Sequence, residues 1–407
     1  MASKAKSKRK TISVKKKSIE KGKRVNYKKL NWKIIFSERF LLISGVTLST
    51  VILLGFIISI CMQQLFAANF ADNFMRPMFG NKTTISIEAL LFKVEDEVNQ
   101  IKYFVIKQNP NDLTANSAKI NKRNAVSKEP ELSLQAITPL SNLPSLAGEG
   151  AWSPLINASA GALLAETFFR PDKSRPYAIT YLVKMNMQHL SLSEVAGIVQ
   201  PGGYYNSGSG KIPTDIQKTN NLVAAFNGGF QNKDGHYGMI IGNKTLLPLQ
   251  KNIATLVIYK NSKIKIINYA GQALGKDVLA VRQNGPILLQ NSKDVSSSPA
   301  WNMETWGLTT TNSMYTWRSG IGITKDGNLI YAAGPSLVPQ TLAAALKAAG
   351  AVDAMQLDIN PVWVRFILFN SLGNGQYKYS PLTKDMVNGG AQYLAGYQKD
   401  FFYLVEK

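Results

Sequence analysis

The run FLLISGVTLSTVILLGFIISICM, Phe40 to Met62, holds 23 residues without a charge. A helix of that length matches the ~30 Å hydrocarbon core of a bilayer. It divides the chain into a short leader and a long remainder on opposite sides of a membrane. A cleaved secretory signal has a shorter apolar region, a shorter basic leader and a small-residue cleavage site. Ala67–Ala68–Asn69 keeps cleavage open, but the length of the run favours an uncleaved anchor.

Charge gives the orientation. The 407 residues carry a formal net charge of +22. Before Phe40 stand fifteen Lys or Arg against Glu20 and Glu38, so most of the excess sits in the leader. Runs such as KSKRK have two readings, nucleic-acid binding or a solvated tail that sets topology. The adjoining apolar run favours the second, because Lys and Arg stay on the cytoplasmic side. The expectation is a cell-membrane protein with one span, a cytoplasmic N-terminus and an extracytoplasmic C-terminal part. Anionic lipid is the partner expected at the tail, with no specific nucleic acid. The lone cysteine, Cys61, closes the span and reads as a small apolar residue, with lipidation as the alternative. The outer part therefore has no disulfide and depends on its core.

Five segments follow: a tail over 1–39, a span over 40–62, a stalk helix region over 63–106, a linker over 107–150 and a folded domain over 151–407. In the stalk, Leu90, Leu91, Val94, Val98, Ile101 and Phe104 recur at helical spacing. The linker is rich in Asn, Ser, Lys and Pro. From Ala151 short apolar runs alternate with turn signals. AITYLVKMNM and NLVAAF read as strands. ATLVIYKNSKIKIINY reads as a hairpin turning at Asn261–Ser262, and VLAVRQNGPILLQ as two strands around Asn284–Gly285–Pro286. SGIGITKDGNLIYAAG is a hairpin with Asp326–Gly327 at its turn. One helix stands out in PQTLAAALKAAG, with Thr341 at its start and Gly350 as a left-handed stop. The predicted fold is α+β: a mixed twisted sheet with hairpins and packed helices, preceded by one transmembrane helix.

The stretch AMQLD ends a predicted strand on Asp358. Two readings stand. A carboxylate at a strand end is well seated for function, and Asp is also an ordinary turn residue. The Gly/Asn turn after NLVAAF is a second candidate. Gly228 and Gly229 let backbone approach a ligand, with Asn227, Asp234 and His236 beside them. The alternative is a loop whose glycines only serve the turn. No phosphate-binding Gly-rich loop, no His/Cys metal cluster and no nucleophile elbow occurs. No cofactor and no metal are expected.

FNGGF, VRQNGPILL, RSGIGITKDGNLIYAAG and TLAAALKAAGAVDAMQLD occur in the order and spacing of the phosphodiester glycosidase family. The chain resembles a divergent, membrane-anchored branch of that family over about residues 175–405. Where the family usually has Leu-Asp-Gly-Gly-Gly-Ser, this chain has Leu357–Asp358–Ile359–Asn360–Pro361–Val362. The resemblance implies a glycosidase that hydrolyses a sugar-1-phosphodiester, with a sugar-phosphate or glycan of the cell envelope as substrate. It implies Asp358 as nucleophile or base, since such cleavage passes through an oxocarbenium-like state served by carboxylates. His236 is the implied acid or a phosphate contact, and Glu304 the spare carboxylate. Arg318 is the implied phosphate clamp. Asn227, Gly228, Gly229, Asn284 and Asn360 complete the implied binding set. Trp301, Trp306, Trp317 and Trp363 could stack on sugar faces, against core packing as the default. The alternative functions are a catalytically inactive glycan or phosphoglycan binding module, and a scaffold of envelope assembly.

Overall fold

The structure is a computed structural model. It describes Met75, Met78, 93–94, 96–105 and 132–407, except 145, 159–160, 203–206, 298–314 and 387–388. The tail, the span with Cys61, Leu90, Leu91, Trp301, Glu304 and Trp306 lie outside the described residues. The chain divides into two compact units, Met1–Met62 and Gln63–Lys407, and all the described residues belong to the second.

Strand formation follows the alternation of short apolar runs and turns. Among the described residues there are eighteen strands: β1 (Ser153–Ala158), β2 (Gly161–Phe169), β3 (Thr180–Met185), β4 (Leu190–Val195), β5 (Leu222–Asn227), β6 (Met239–Ile241), β7 (Lys244–Leu247), β8 (Ala254–Tyr259), β9 (Ile264–Asn268), β10 (Val278–Gln283), β11 (Ile287–Gln290), β12 (Lys293–Asp294), β13 (Thr316–Thr324), β14 (Leu329–Leu337), β15 (Ala351–Ile359), β16 (Phe366–Gly373), β17 (Gln376–Pro381) and β18 (Phe401–Glu406). They form three sheets, ordered β1-β2-β3-β14-β13-β15-β11-β12, β7-β6-β10-β8-β9 and β17-β16-β5-β18-β4.

This corrects the α+β expectation. The protein is mostly β, with few helices, and each strand pairing in the three sheets is antiparallel. The reason lies in the connections. Ser262 (φ 64°) and Gly327 (φ 82°) take left-handed backbone in the β8–β9 and β13–β14 turns, and tight turns of this kind join antiparallel neighbours only. The helices Thr214–Lys218 and Gly390–Ala395 are short pieces. Among the described residues no helix is long and apolar enough to cross a membrane.

Among the described residues the one substantial core helix, Pro339–Ala348, buries Leu342, Ala343, Ala345 and Leu346. They pack with Leu182, Leu288, Ile330, Ala332 and Ala354 of the eight-stranded sheet. Thr341 acts from the third helical position rather than as the first cap: its Oγ1 accepts from the Val338 amide at 3.0 Å. Gly350 ends the helix at φ 99°.

The other face of that sheet meets the two smaller sheets in the main core, through residues such as Tyr331, Met355, Leu357, Leu256, Phe226 and Phe402. Phe226 is its hub, with ring centroids 5.7 Å from Phe366, 5.4 Å from Phe402 and 5.3 Å from Tyr331. The strand ends beyond this hub carry the candidate site.

Residues 132–150, in the expected linker, pack on the domain. Leu132, Ile137 and Leu146 are buried, and Glu149 makes a buried ion pair with Arg170 at 2.6 Å. The described helical residues 96–104 dock through a polar contact: Asp96 pairs with Arg175 at 2.9 Å and accepts from the Tyr177 hydroxyl at 2.7 Å. Val94, Val98, Ile101 and Phe104 are exposed.

Candidate active site

Asp358 stands next to last in β15, where a long buried strand gives way to the Asn360 turn. Arg318 of β13 is opposite Ile359 in register. The Asp358 amide donates to the Gly228 carbonyl at 3.0 Å, and the Gly228 amide donates to the Asp400 carbonyl at 3.0 Å. The turn after β5 thus lies between the end of β15 and the start of β18, and the large sheet meets the β17-β16-β5-β18-β4 sheet there. The third sheet reaches the same place through Arg282 and Gln283 at the end of β10, followed by Asn284.

Two carboxylates face this junction, each with its own cation. Asp400 Oδ2 accepts from Arg282 Nε at 2.8 Å and from the Gly229 amide at 3.0 Å. Arg282, fully buried, also donates to the carbonyls of Gln283 at 2.7 Å, Phe230 at 2.8 Å and Tyr237 at 3.2 Å. Burial alone would pull its pKa down, but Asp400 and Glu194 outweigh this and raise it. Glu194, 4.0 Å from Arg282, has no hydrogen-bond partner for either oxygen among the described residues. Burial, reinforced by Asp400, pushes its carboxyl well above the usual range.

Asp358 is only 3% exposed. Its Oδ1 accepts from the Ile359 amide at 2.9 Å, and its Oδ2 is paired with the Lys399 ammonium. Burial raises the carboxyl to about 6, against the opposing pull of Lys399 and the Ile359 amide. The Lys399 ammonium sits 4.6 Å from the centroid of the Trp363 ring. This is cation–π range.

The polar residues of the expected binding set form the frame of the junction. Asn227 uses its whole amide. Its Oδ1 accepts from Tyr331 Oη at 2.9 Å and the Arg365 amide at 3.1 Å, and its Nδ2 donates to Ser319 Oγ at 2.9 Å and the Gly228 carbonyl at 3.0 Å. Asn284 Oδ1 accepts from the Phe230 amide at 2.8 Å, and its Nδ2 donates to the carbonyls of Leu357 at 2.9 Å and Gln356 at 3.0 Å. Arg318, fully buried, donates to the Leu337 carbonyl at 2.9 Å and to Gln356 Oε1 at 2.8 Å. Burial lowers its pKa to about 9. Asn360 takes a left-handed φ of 78°, and its buried Oδ1 has no hydrogen-bond partner among the described residues.

Asn227, Gly228, Gly229, Asn284, Arg318, Asp358 and Asn360 therefore come together. Among the described residues no hydrogen bond joins His236 to them. It is exposed, at φ 52°, and its Nδ1 shares a 2.7 Å hydrogen bond with Asn232 Oδ1. Trp317 is buried in the core, while Trp363 lies against Lys399. Sequence reasoning passed over Arg282, Glu194, Arg365, Lys399 and Asp400. A charge inside a run of strand-forming residues was the available signal, as in VLAVRQ and YQKDFF. Among the described residues no group of acids, His or Cys could hold a metal ion. An open groove of about 610 Å³ lies at the other ends of β13 and β15, lined by residues such as Ile264, Ile323, Lys325 and Asp353. It shares no residue with the junction.

Residues 220–358 match the phosphodiester glycosidase family. That segment runs from the start of β5 to Asp358 and includes Asn227, Asn284 and Arg318. Among solved structures, the chain is similar to the zebrafish N-acetylglucosamine-1-phosphodiester alpha-N-acetylglucosaminidase catalytic domain auto-inhibited by its pro-peptide. The identity is 16%, over 67% of this chain and 87% of that one, with a TM-score of 0.38. A hypothetical protein from Synechocystis is similar at 13% identity, over 60% of this chain and 62% of that one, with a TM-score of 0.32. No curated protein matches the chain in sequence. All four ordered motifs lie within residues 220–358, and over that segment the chain matches the phosphodiester glycosidase family.

Proposed function

We propose that this protein is a membrane-anchored hydrolase acting outside the cytoplasm, and that it cleaves a sugar-1-phosphodiester bond in an envelope glycan or glycolipid. The observation that carries the reading is the position of Asp358: a buried carboxylate at the junction of the sheets, closing the segment that matches the family. In this reading Asp358 is the nucleophile or the base. One oxygen is fixed by the Ile359 amide and the other by Lys399, which orients the lone pairs left for reaction. Phosphate is already a good leaving group, so the demand for a strong acid is small. Arg318, opposite Ile359 in register, and Asn360, two residues beyond Asp358, are the candidates of the binding set for the phosphate and the sugar. The uncharged run 40–62 and its basic leader support the anchor and the topology, with anionic lipid at the tail.

The test is release of sugar by the purified full chain from N-acetylglucosamine-1-phosphodiester and a panel of other sugar-1-phosphodiesters. Turnover of at least one supports the reading. None, with the fold intact, overturns it. Topology is tested by proteolysis of sealed, right-side-out cells, where the C-terminal domain and not the tail should be cut.

A second reading has its own observation. Asp358 is paired with Lys399 and nearly enclosed, as an inert structural ion pair would be. A glycan-binding module without turnover would then retain ligand when Asp358 is replaced.

A further inference from the structure

Lys399 lies 41 residues from Asp358 in sequence, outside the segment that matches the family, yet it is the cation at the candidate carboxylate. Its place is set by backbone. Next to it, Asp400 is locked by Arg282 and by the amides of Gly228 and Gly229. On the other side, the Gln398 carbonyl accepts from the Val199 amide at 3.1 Å and the Gln200 amide at 2.9 Å. Gly197 permits that approach, since a Cβ there would stand 2.4 Å from the Gln398 oxygen. The chain at 398–400 is therefore clamped by two loops, and the Lys399 side chain is only 5% exposed.

The turn after Asp358 supplies the other wall. The Asn360 carbonyl accepts from the Trp363 amide at 3.1 Å and the Val364 amide at 3.1 Å. With Asn360 left-handed at φ 78°, this turn brings the indole against the ammonium. The sequence Ile359–Asn360–Pro361–Val362–Trp363 thus has a structural role: it seats an aromatic face on Lys399.

The groups that act on Asp358 are few. Lys399 and the Ile359 amide favour its charge, Asp400 opposes it, and burial is the largest influence. Arg282, Tyr331 and Tyr397 also feel the Asp358 charge. Arg282 is engaged with Asp400, so Lys399 is the cation in direct contact.

We propose that Lys399, held between the Asp358 carboxylate and the Trp363 ring, is the positioning residue that keeps Asp358 ionised and oriented for reaction. This rests on Asp358 being the reactive carboxylate. A buried carboxylate deprived of the cation in contact with it shifts toward the neutral acid, and a neutral acid is neither nucleophile nor base. Methionine at 399 removes the charge at similar size, and arginine keeps it.

The experiment uses the full chain as the parent, Lys399→Met, Lys399→Gln and Lys399→Arg. Two readouts are taken: the pH profile of kcat/KM on N-acetylglucosamine-1-phosphodiester, and the pH midpoint of Trp363 fluorescence. The Trp363 signal is obtained by subtracting the spectrum of Trp363→Phe. The second readout needs no activity. Lys399→Met and Lys399→Gln should move both the acid limb and the fluorescence midpoint up by about one pH unit or more, and Lys399→Arg should return both toward the parent. An unmoved midpoint and limb in either folded neutral variant overturns the proposal. If the parent turns over no substrate but the midpoint still moves, the hold of Lys399 on Asp358 is supported and the functional reading is what fails.

Discussion

Asp358 and Asp400 are joined through one residue: Gly228 accepts from the Asp358 amide and donates to the Asp400 carbonyl, each at 3.0 Å. The two acids have different surroundings. Asp400 is bound by a guanidinium and a backbone amide. Asp358 has a single ammonium, which itself rests on an indole. The first arrangement is a structural pair, while in the second one ammonium and the Ile359 amide hold the charge of a carboxylate against its burial.

Arg282→Met should therefore act on stability. It leaves Asp400 without its guanidinium and removes the nearest cation from Glu194, and breaking a buried pair from one side costs about 3–5 kcal/mol. Urea unfolding of the purified protein measures the change. A loss below about 1 kcal/mol would contradict the structural role.

Gly228 is needed for space. A Cβ at this position would stand 2.1 Å from Asp400 Oδ2 and 2.8 Å from the Asp400 carbonyl oxygen. Gly228→Ala should lower stability by about 1–3 kcal/mol, as overpacking of a filled site does. It should lower turnover as well, because the same residue spaces Asp358 from Asp400. Thermal unfolding and kcat measured together check this, and an unchanged melting temperature would contradict it.

Glu166 gives a pH signature away from the site. Burial raises its carboxyl from 4.5 to about 7. A raised acid contributes stability that is present below pH 4.5 and is lost as pH rises through about 7. Glu166→Gln removes that loss, so the variant and the parent should be equally stable near pH 4. The variant should be more stable by about 2 kcal/mol at pH 8, allowing for partial solvent screening. Unfolding curves at the two pH values read the difference, and a gap independent of pH would contradict the assignment.

The residues legible in the sequence are those with local signals. Asn227–Gly228–Gly229 and Asp358 end apolar runs, and both prove to be strand ends at one junction. The helix at 339–348 was marked by its apolar face and by Gly350. Partners distant in sequence had no such mark. Arg282 and Asp400 are 118 residues apart, and nothing near either one signals the other. The two runs around Asn284–Gly285–Pro286 are strands as expected, but β10 joins β8 and β6 while β11 joins β15. A chain that changes sheets at a turn looks locally like a hairpin. The expectation of packed helices rested on one convincing helix, Pro339–Ala348, whereas tight hairpins such as β8–β9, β13–β14 and β16–β17 join antiparallel neighbours.

The central claim is that Asp358 carries the chemistry. The direct measurement is kcat/KM of Asp358→Asn on a sugar-1-phosphodiester that the parent hydrolyses, alongside circular dichroism of the same preparation. The amide keeps the size of the side chain and loses the nucleophile or base. The account predicts a drop of about 10²–10⁴-fold with the β-rich spectrum unchanged. Activity within about threefold of the parent would contradict it.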